Sequence, residues 1–183
     1  MRKNKIIPIL FNSPMTRAVL SGQKTTTRRI LKPQPSTDGL ICRNYEVGDI
    51  LWVREAYSKT PTGFAYMSDS NDMRKKDNIR WVSPLLMPKT ACRLFLMVTN
   101  VRLERIQDIT EDEAYKEGVR REGKFRFKNY LSDYSEYEYL SVKTAKDSFQ
   151  TLWQSIYGEN SWNVNPYVWV VEFERVERPE NFI

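Results

Sequence analysis

Residues 22–29 read GQKTTTRR, and this basic segment follows directly on a short predicted helix. Ser13 and Pro14 predict the start of that helix, because serine is a common N-cap and proline is favoured in the first helical turn. Apolar residues then follow with helical spacing, and Gly22 is typical of the position just after a helix ends. The sequence therefore predicts that one lysine and two arginines emerge from the end of a helix, and we place the functional centre here.

The positive charge of the chain is concentrated at its N-terminal end. Residues 1–37 contain eight basic residues and no acidic one, whereas the whole chain of 183 residues has a net charge of +6. A one-sided field of this kind favours an anionic partner, of which nucleic acid is the commonest. The alternative interpretation is a solvated basic tail together with one basic helix face.

The residue types present exclude several kinds of active site. The chain has no histidine and two cysteines, Cys42 and Cys92. Ser-His-Asp and Cys-His sites, histidine-ligated metals and structural zinc sites are therefore excluded, and we expect neither a metal nor a cofactor. Two cysteines are too few for a disulfide framework and are most simply buried thiols. Acid–base chemistry must come from Lys, Glu, Asp, Tyr or Cys.

Length and hydropathy predict a single soluble domain over residues 1–183. No stretch approaches the ~18–20 apolar residues of a membrane span, and the apolar run 6–11 is too short for the core of a signal peptide. We therefore expect a cytoplasmic protein with no membrane partner. No linker or internal repeat divides the chain.

The apolar pattern predicts a mixed α/β protein whose short, curved strands form a small barrel with helical decoration. A change of phase near Thr99–Asn100 predicts a β-bulge. Thr110 and Glu113 have the spacing of a capping box at the start of a helix. The polar residues 58–89 predict a long excursion with one short strand near 80–82. Strands are predicted at 6–11, 50–57, 93–105 and 168–176, and helices at 110–117 and 143–157.

A second basic segment lies at residues 120–128. It contains five basic residues and one acidic residue, with Phe125 and Phe127 interleaved. This pattern is typical of surfaces that contact phosphates with cations and stack bases on aromatic rings.

Residues 22–29 resemble the signature of the ASCH family, which has a PUA-like fold. In that signature a helix-ending glycine is followed by Lys-Thr and then by Thr and Arg. Gly48-Asp49 is similar to the family's turn before a strand, residues 109–117 to its short helix, and residues 168–173 to its final strand. In length, and in the segment 51–55, the sequence looks like the ASCH proteins of tailed bacteriophages and prophages.

The resemblance implies an α+β fold: a small β-barrel of five or six strands with two or three helices and a cleft beside the Lys-Thr segment. Residues 58–89 and 120–140 are then insertions that roof or extend the cleft. Compact bacterial ASCH proteins include an amidohydrolase that acts on N4-acetylcytidine. Its Lys, Thr and Glu match Lys24, Thr27 and Glu117, and Arg29 matches a further basic residue.

These residue types suit amide hydrolysis, which needs a nucleophile, a base and a proton donor for the leaving amine. A lysine serves as base if burial or neighbouring cations lower its pKa, as Arg28 and Arg29 would here. The alternative is that the lysine and arginines bind phosphate, and that Glu117 is solvated. Glu55 is a second candidate acid, or a salt-bridge partner of Arg54 or Lys24.

The sequence is compatible with three functions. The first is an amidohydrolase for acetylated cytidine, and the second is a nucleic-acid-binding module or ribonuclease that prefers RNA to DNA. The third is a phage protein that binds a host factor. Beside the candidate catalytic residues, the expected ligand contacts are Thr25, Arg28, Arg29, Trp52, Arg54, Glu55, Arg120, Arg121, Lys124, Phe125, Arg126 and Phe127.

Overall fold

The computed structural model describes residues 4–35, 44–69, 79–131 and 141–182. Within these ranges the helices are α1 (Ser13–Leu20), α2 (Glu111–Lys116) and α3 (Ala145–Tyr157). The strands are β1 (Ile6–Leu10), β2 (Thr26–Ile30), β3 (Ile50–Arg54), β4 (Tyr57–Thr60), β5 (Gly63–Tyr66), β6 (Phe95–Arg105), β7 (Arg121–Gly123), β8 (Arg126–Phe127) and β9 (Tyr167–Val176).

Five of the strands form one mixed sheet in the order β1-β3-β6-β9-β2. Its centre is the long antiparallel pair β6–β9, whose register shifts between Val98 and Asn100. This shift confirms the predicted bulge. Strand β1 pairs parallel with β3, and β2 pairs antiparallel with β9. The sheet thus places the basic strand β2 at one edge and β1 at the other.

The α+β class is confirmed, and the described strands pair as an open sheet in which β1 and β2 remain edges. The two edges nevertheless come close at one end, where Nη2 of Arg29 donates to the carbonyl of Leu10 at 3.1 Å. Sheet twist and the bulge in β6 explain this curvature. Within the described residues, the two edge strands are therefore connected here by the side chain of Arg29 and not by backbone hydrogen bonds between strands.

The helix ends follow local capping chemistry. Helix α1 is capped by Asn12, whose Oδ1 accepts from the amide of Met15 at 2.9 Å. Ser13, the predicted cap, is the first helical residue instead, because asparagine caps at least as well as serine. Helix α2 has the predicted capping box of Thr110 and Glu113.

The predicted insertions, residues 58–89 and 120–140, contain most of one small hairpin, β4–β5, and all of a second, β7–β8. The strand predicted near 80–82 is reduced to an isolated bridge between Tyr57 and Val82. Residues 70–78 and 132–140, which belong to these predicted insertions, lie outside the described residues, as does Cys42. In the described part of the chain, no helix has the length and apolar character to cross a membrane.

Candidate functional site

The basic segment turns from helix α1 into strand β2 and is fixed there by backbone hydrogen bonds. Gly22 has φ of 76°, in the left-handed region that glycine adopts without strain. The amide of Lys24 donates to the carbonyl of Ala18 at 2.9 Å, and the amide of Thr25 donates to that of Lys116 at 3.0 Å. The segment is therefore held between the ends of α1 and α2.

The ammonium group of Lys24 is buried among three oxygen acceptors. Its Nζ donates to the carbonyls of Thr26 and Glu117 at 2.7 Å each, and to Oε2 of Glu117 at 2.9 Å. The next residue, Gly118, has φ of +90°, and a Cβ there would lie 2.8 Å from the Cβ of Ala18 and 3.2 Å from that of Lys24. Glycine therefore allows the end of α2 to approach Lys24 closely enough for these bonds.

Burial is the main influence on the proton affinity of Lys24, and it lowers the pKa. The carboxylate of Glu117 opposes this effect through its charge and its hydrogen bond, while the charges of Arg29 and Arg28 add to the lowering. The net result is that the pKa of Lys24 lies below its ordinary value of 10.5. More neutral amine is then present near neutral pH, and this is the form that accepts a proton.

Thr27 contacts a cation of its own strand. Its Oγ1 accepts from Nη1 of Arg29 at 2.8 Å, so the threonine hydroxyl hydrogen is left for another acceptor. The other described hydrogen bonds of Arg29 go to the backbone carbonyls of Arg28 and Leu10, at 3.1 Å each. In the described part of the chain, Arg29 therefore faces only uncharged acceptors, and Lys24 Nζ makes no hydrogen bond to Thr27 Oγ1.

Arg28 is buried completely and is surrounded by carboxylates. Its Nη1 donates to Oε1 of Glu117 at 3.2 Å, and its Nη2 donates to Glu104 at 3.2 Å and to Glu113 at 3.1 Å. Glu113 and Glu117 are four residues apart, so they lie on the same side of α2 and its C-cap. Arg102 in turn bonds Glu104 and Glu113. Lys24, Glu117 and Arg28 thus belong to one buried network.

A cavity of about 440 Å³ lies beside this network, and Lys24, Thr27, Arg28, Arg29 and Glu117 all line it. The structure therefore brings together the three residues predicted as catalytic, although Lys24 and Glu117 are 93 positions apart. Most of the remaining wall is aromatic or aliphatic. It includes Phe11, Phe149, Leu152, Trp153, Ile156 and Tyr157.

Sequence reasoning missed this aromatic wall. Phe149, Trp153 and Tyr157 recur every four residues along α3, so they form one helix face. That spacing is the same for a face that packs on a core and for one that lines a cavity, and the sequence offers no signal to separate them. Tyr45 also lies near the wall: burial raises its pKa, with smaller influences from Arg29 and Tyr157.

Three predicted contact residues on and after β3 do not line the cavity. Arg54 donates a hydrogen bond to the carbonyl of Leu85, which lines the cavity, so Arg54 helps to hold that lining residue in place. Trp52 is buried against Phe182 in a second core cluster. Glu55 is buried and pairs with Arg93, a partner that the sequence reasoning did not consider.

The second basic segment forms the small hairpin β7–β8. Phe125 at its tip is 74% exposed, and Nζ of Lys124 lies 5.4 Å from the centre of its ring. Phe127 is buried in the main core instead, beneath the guanidinium of Arg121 at 5.6 Å. Arg120, Arg121, Lys124 and Arg126 are exposed. Phe125 is therefore the ring of this hairpin that is open to a partner.

No group of three or more histidine, cysteine, aspartate or glutamate residues with the arrangement of a metal site occurs in ranges 4–35, 44–69, 79–131 and 141–182. The polar groups that line the cavity include a lysine, a threonine, two arginines and a carboxylate. Such a set can transfer protons, attack a carbonyl group or bind an anion.

Two solved structures are similar to this fold over nearly the whole chain. A protein of the DUF984 family model from Enterococcus faecalis has a TM-score of 0.47 and 11% identity, over 97% of this chain and 78% of its own. An ASCH domain from Lactobacillus crispatus has a TM-score of 0.44 and 13% identity, over 95% of this chain and 81% of its own. Neither the protein-family models nor the curated proteins give a match to the sequence. The expected likeness to phage proteins stays a prediction.

Proposed function

We propose that the protein hydrolyses an amide carried by a nucleobase, with N4-acetylcytidine as the substrate that fits best. The observation that supports this proposal most is that Lys24, Thr27 and Glu117 line one cavity with an aromatic wall. The polar groups suit acyl transfer, and the wall suits a flat ring. Aromatic side chains stack on nucleobases with about 1–3 kcal/mol per base.

In this proposal the ion pair of Lys24 and Glu117 supplies both the base and the acid. The two groups are 2.9 Å apart, so one proton can move directly from the ammonium to the carboxylate. When a bound ligand excludes water, the uncharged pair is favoured, because burial destabilises separated charges. The transfer leaves a neutral amine at Lys24 and a protonated acid at Glu117.

The reaction then proceeds by acyl transfer to Thr27. Its Oγ1 attacks the acetyl carbonyl carbon while the neutral Lys24 takes the hydroxyl proton, and Arg29 stabilises the oxyanion that forms. Glu117 donates its proton to the departing amino group of cytidine as the carbon–nitrogen bond breaks. In the second half, the Glu117 carboxylate takes a proton from water, and the hydroxide attacks the carbonyl carbon of the threonine ester. As the bond between that carbon and Oγ1 breaks, Lys24 returns its proton to Oγ1, which restores Thr27 and releases acetate.

The direct test is to incubate the protein with N4-acetylcytidine and to measure cytidine and acetate by chromatography. Lys24→Arg is the decisive variant, because arginine keeps the charge but cannot act as a base in a protein. We expect Lys24→Arg and Thr27→Val to lose turnover and to keep ligand binding. Lys116→Arg, on the exposed end of α2, is the matched control and is expected to react as the wild type does. Turnover no higher than that of Lys24→Arg would exclude the proposal.

The hairpin β7–β8 favours a second candidate function, the binding of single-stranded RNA. Exposed Phe125 can stack an unpaired base, and the neighbouring cations Lys124 and Arg126 can contact phosphates. Oligonucleotide affinity is then expected to fall steeply with salt, because phosphate contacts release counterions. Phe125→Ala should weaken binding about tenfold at all salt concentrations, and Lys124→Ala should reduce the salt slope by about one. Binding that does not change with salt contradicts this function.

A further inference from the structure

Arg28 connects the cavity to carboxylates that lie outside it. Glu117 shares its two oxygens between two cations, with Oε2 at 2.9 Å from Lys24 and Oε1 at 3.2 Å from Arg28. On its other side, the guanidinium of Arg28 is held by Glu104 and Glu113, which are each 22% exposed and do not line the cavity. The position of Arg28 therefore depends on carboxylates that no ligand in the cavity touches.

Glu113 is fixed independently of Arg28. Its Oε2 accepts from the amide of Thr110 at 3.0 Å in the capping box of α2, and its Oε1 bonds Arg102. Burial raises the pKa of Glu113, but the hydrogen bond from Thr110 and the charges of Arg28 and Arg102 outweigh this effect, so the pKa lies below its usual value. Glu113 is thus a charged and anchored support for Arg28 at neutral pH.

We propose that Arg28 is a positioning residue, and that Glu113 controls the charge state of Lys24 by competing with Glu117 for the guanidinium of Arg28. The inference rests on the proposed function, in which Lys24 must lose a proton to act. A cation on the second oxygen of Glu117 weakens the hold of that carboxylate on the Lys24 proton. Glu113 and Glu104 limit this effect, because they offset the charge of Arg28.

The groups around Lys24 make the direction of each change clear. Strand β2 contributes Arg28 and Arg29, the end of α2 contributes Glu117, and the link before α1 contributes the uncharged ring of Phe11, 5.3 Å from Nζ. Across the cavity, α3 contributes Tyr157. Loss of the cation at Arg28 must raise the pKa of Lys24, and loss of the anion at Glu113 must lower it.

The experiment is a pH titration of Lys24 by NMR in protein with ¹³C-labelled lysine, where the Lys24 resonance is the one missing in Lys24→Arg. Glu113→Gln removes the charge and keeps a side chain that can close the capping box. We expect it to lower the pKa of Lys24 by about one unit, because Arg28 is no longer shared with Glu113 and its charge then acts more fully on Glu117. Arg28→Gln is expected to raise the pKa by at least as much. Asp112→Asn, on the same helix but 87% exposed, is the control and is expected to change it by less than about 0.3.

Two further arms show whether Glu113 acts through Arg28. In the Arg28→Gln background, Glu113→Gln should shift the pKa of Lys24 by less than half as much as in the wild type. If Arg28→Gln does not fold, Glu104→Gln replaces it, and a lowered pKa is expected, because Glu104 holds the same Nη2. Shifts equal to that of Asp112→Asn, or a full Glu113 effect without Arg28, overturn the inference.

Parallel assays of N4-acetylcytidine turnover separate this inference from the function on which it rests. If the Lys24 pKa shifts as predicted but no variant, nor the wild type, turns over the substrate, the positioning role is supported and the proposed reaction is excluded. If the protein turns over the substrate but the Lys24 pKa does not shift as predicted, only the positioning role is excluded. If both hold, the alkaline limb of the pH–rate profile should move with the NMR titration in Glu113→Gln, which a residue that only stabilises the fold would not cause.

Discussion

Replacing Glu117 by glutamine removes the carboxylate that pairs with Lys24 and keeps the shape of the side chain. The two carboxyl oxygens accept from Lys24 at 2.9 Å and from Arg28 at 3.2 Å, and the glutamate side chain is 4% exposed. Arg28 keeps two other carboxylate partners in the variant. Lys24 keeps only backbone carbonyls among its described hydrogen-bond acceptors, so the loss of stability comes mainly from the unpaired charge of this lysine.

The magnitude follows from the two states that Lys24 can adopt. If it stays charged and unpaired, breaking the buried pair costs about 3–5 kcal/mol. If it loses its proton instead, the step from pH 7 to the ordinary value of 10.5 costs about 5 kcal/mol, at about 1.4 kcal/mol per pH unit. The less costly state decides, so we expect a loss of about 3–5 kcal/mol at pH 7. At pH 9 deprotonation costs only about 2 kcal/mol, and the loss should shrink to that value.

The sign of this pH dependence is fixed by linkage. A lysine whose pKa is lower in the folded than in the unfolded state releases protons on folding, so the folded protein gains stability as the pH rises towards 10.5. The measurement is urea unfolding at pH 7, 8 and 9, followed by tryptophan fluorescence, with Asp112→Asn as control and equal m-values required. Adding Lys24→Met to Glu117→Gln should restore at least about 2 kcal/mol, because the unpaired charge is gone. A loss below about 1 kcal/mol at pH 7, or an equal loss at pH 9, would refute the reasoning.

Three other outcomes are expected. Since the reactive pair of Lys24 and Glu117 must hold the one proton that Glu117 donates, kcat/KM for N4-acetylcytidine should fall along an alkaline limb whose apparent pKa lies below 10.5, and activity that stays constant up to pH 11 contradicts this. Tyr157→Ala should raise KM about tenfold with kcat within about twofold, because a stacking surface is lost; Tyr115→Ala, outside the cavity, should leave both unchanged. Burial raises the pKa of Cys92 to about 11, so iodoacetamide at pH 8 should alkylate it far more slowly in the folded than in the urea-unfolded protein, as peptide mass spectrometry can measure.

The elements that the sequence predicted well are those set by local chemistry. The capping box of Thr110 and Glu113, the end of α1 at Gly22 and the bulge after Val98 each depend on a few neighbouring residues. For the same reason the error at the start of α1 is one residue, because Asn12 and Ser13 are both good caps. The joint location of Lys24, Thr27 and Glu117 was predicted through a family resemblance, since no local pattern links residues so far apart.

The environment of each charge could not be predicted in this way. Arg28 was placed among ligand contacts because it lies in a basic segment, yet its guanidinium is fully buried among Glu104, Glu113 and Glu117. These carboxylates reach it only when β6 and α2 pack beside β2. A count of basic and acidic residues along the chain carries no information about that pairing.

The buried charges beside the cavity are difficult to explain by stability alone. Removing an ion from water costs several kcal/mol, and apolar residues of similar shape often replace a buried ion pair without loss of stability. A phosphate-binding lysine should present its ammonium to the ligand, whereas the three hydrogen bonds of Lys24 all go to protein oxygens. A lysine held 2.9 Å from a carboxylate, with a pKa that burial lowers, is suited instead to passing one proton between the two groups. Arg29, whose described hydrogen bonds all go to uncharged oxygens, is then the cation available to the ligand. This division of roles between two neighbouring cations favours proton transfer at Lys24 and anion stabilisation at Arg29.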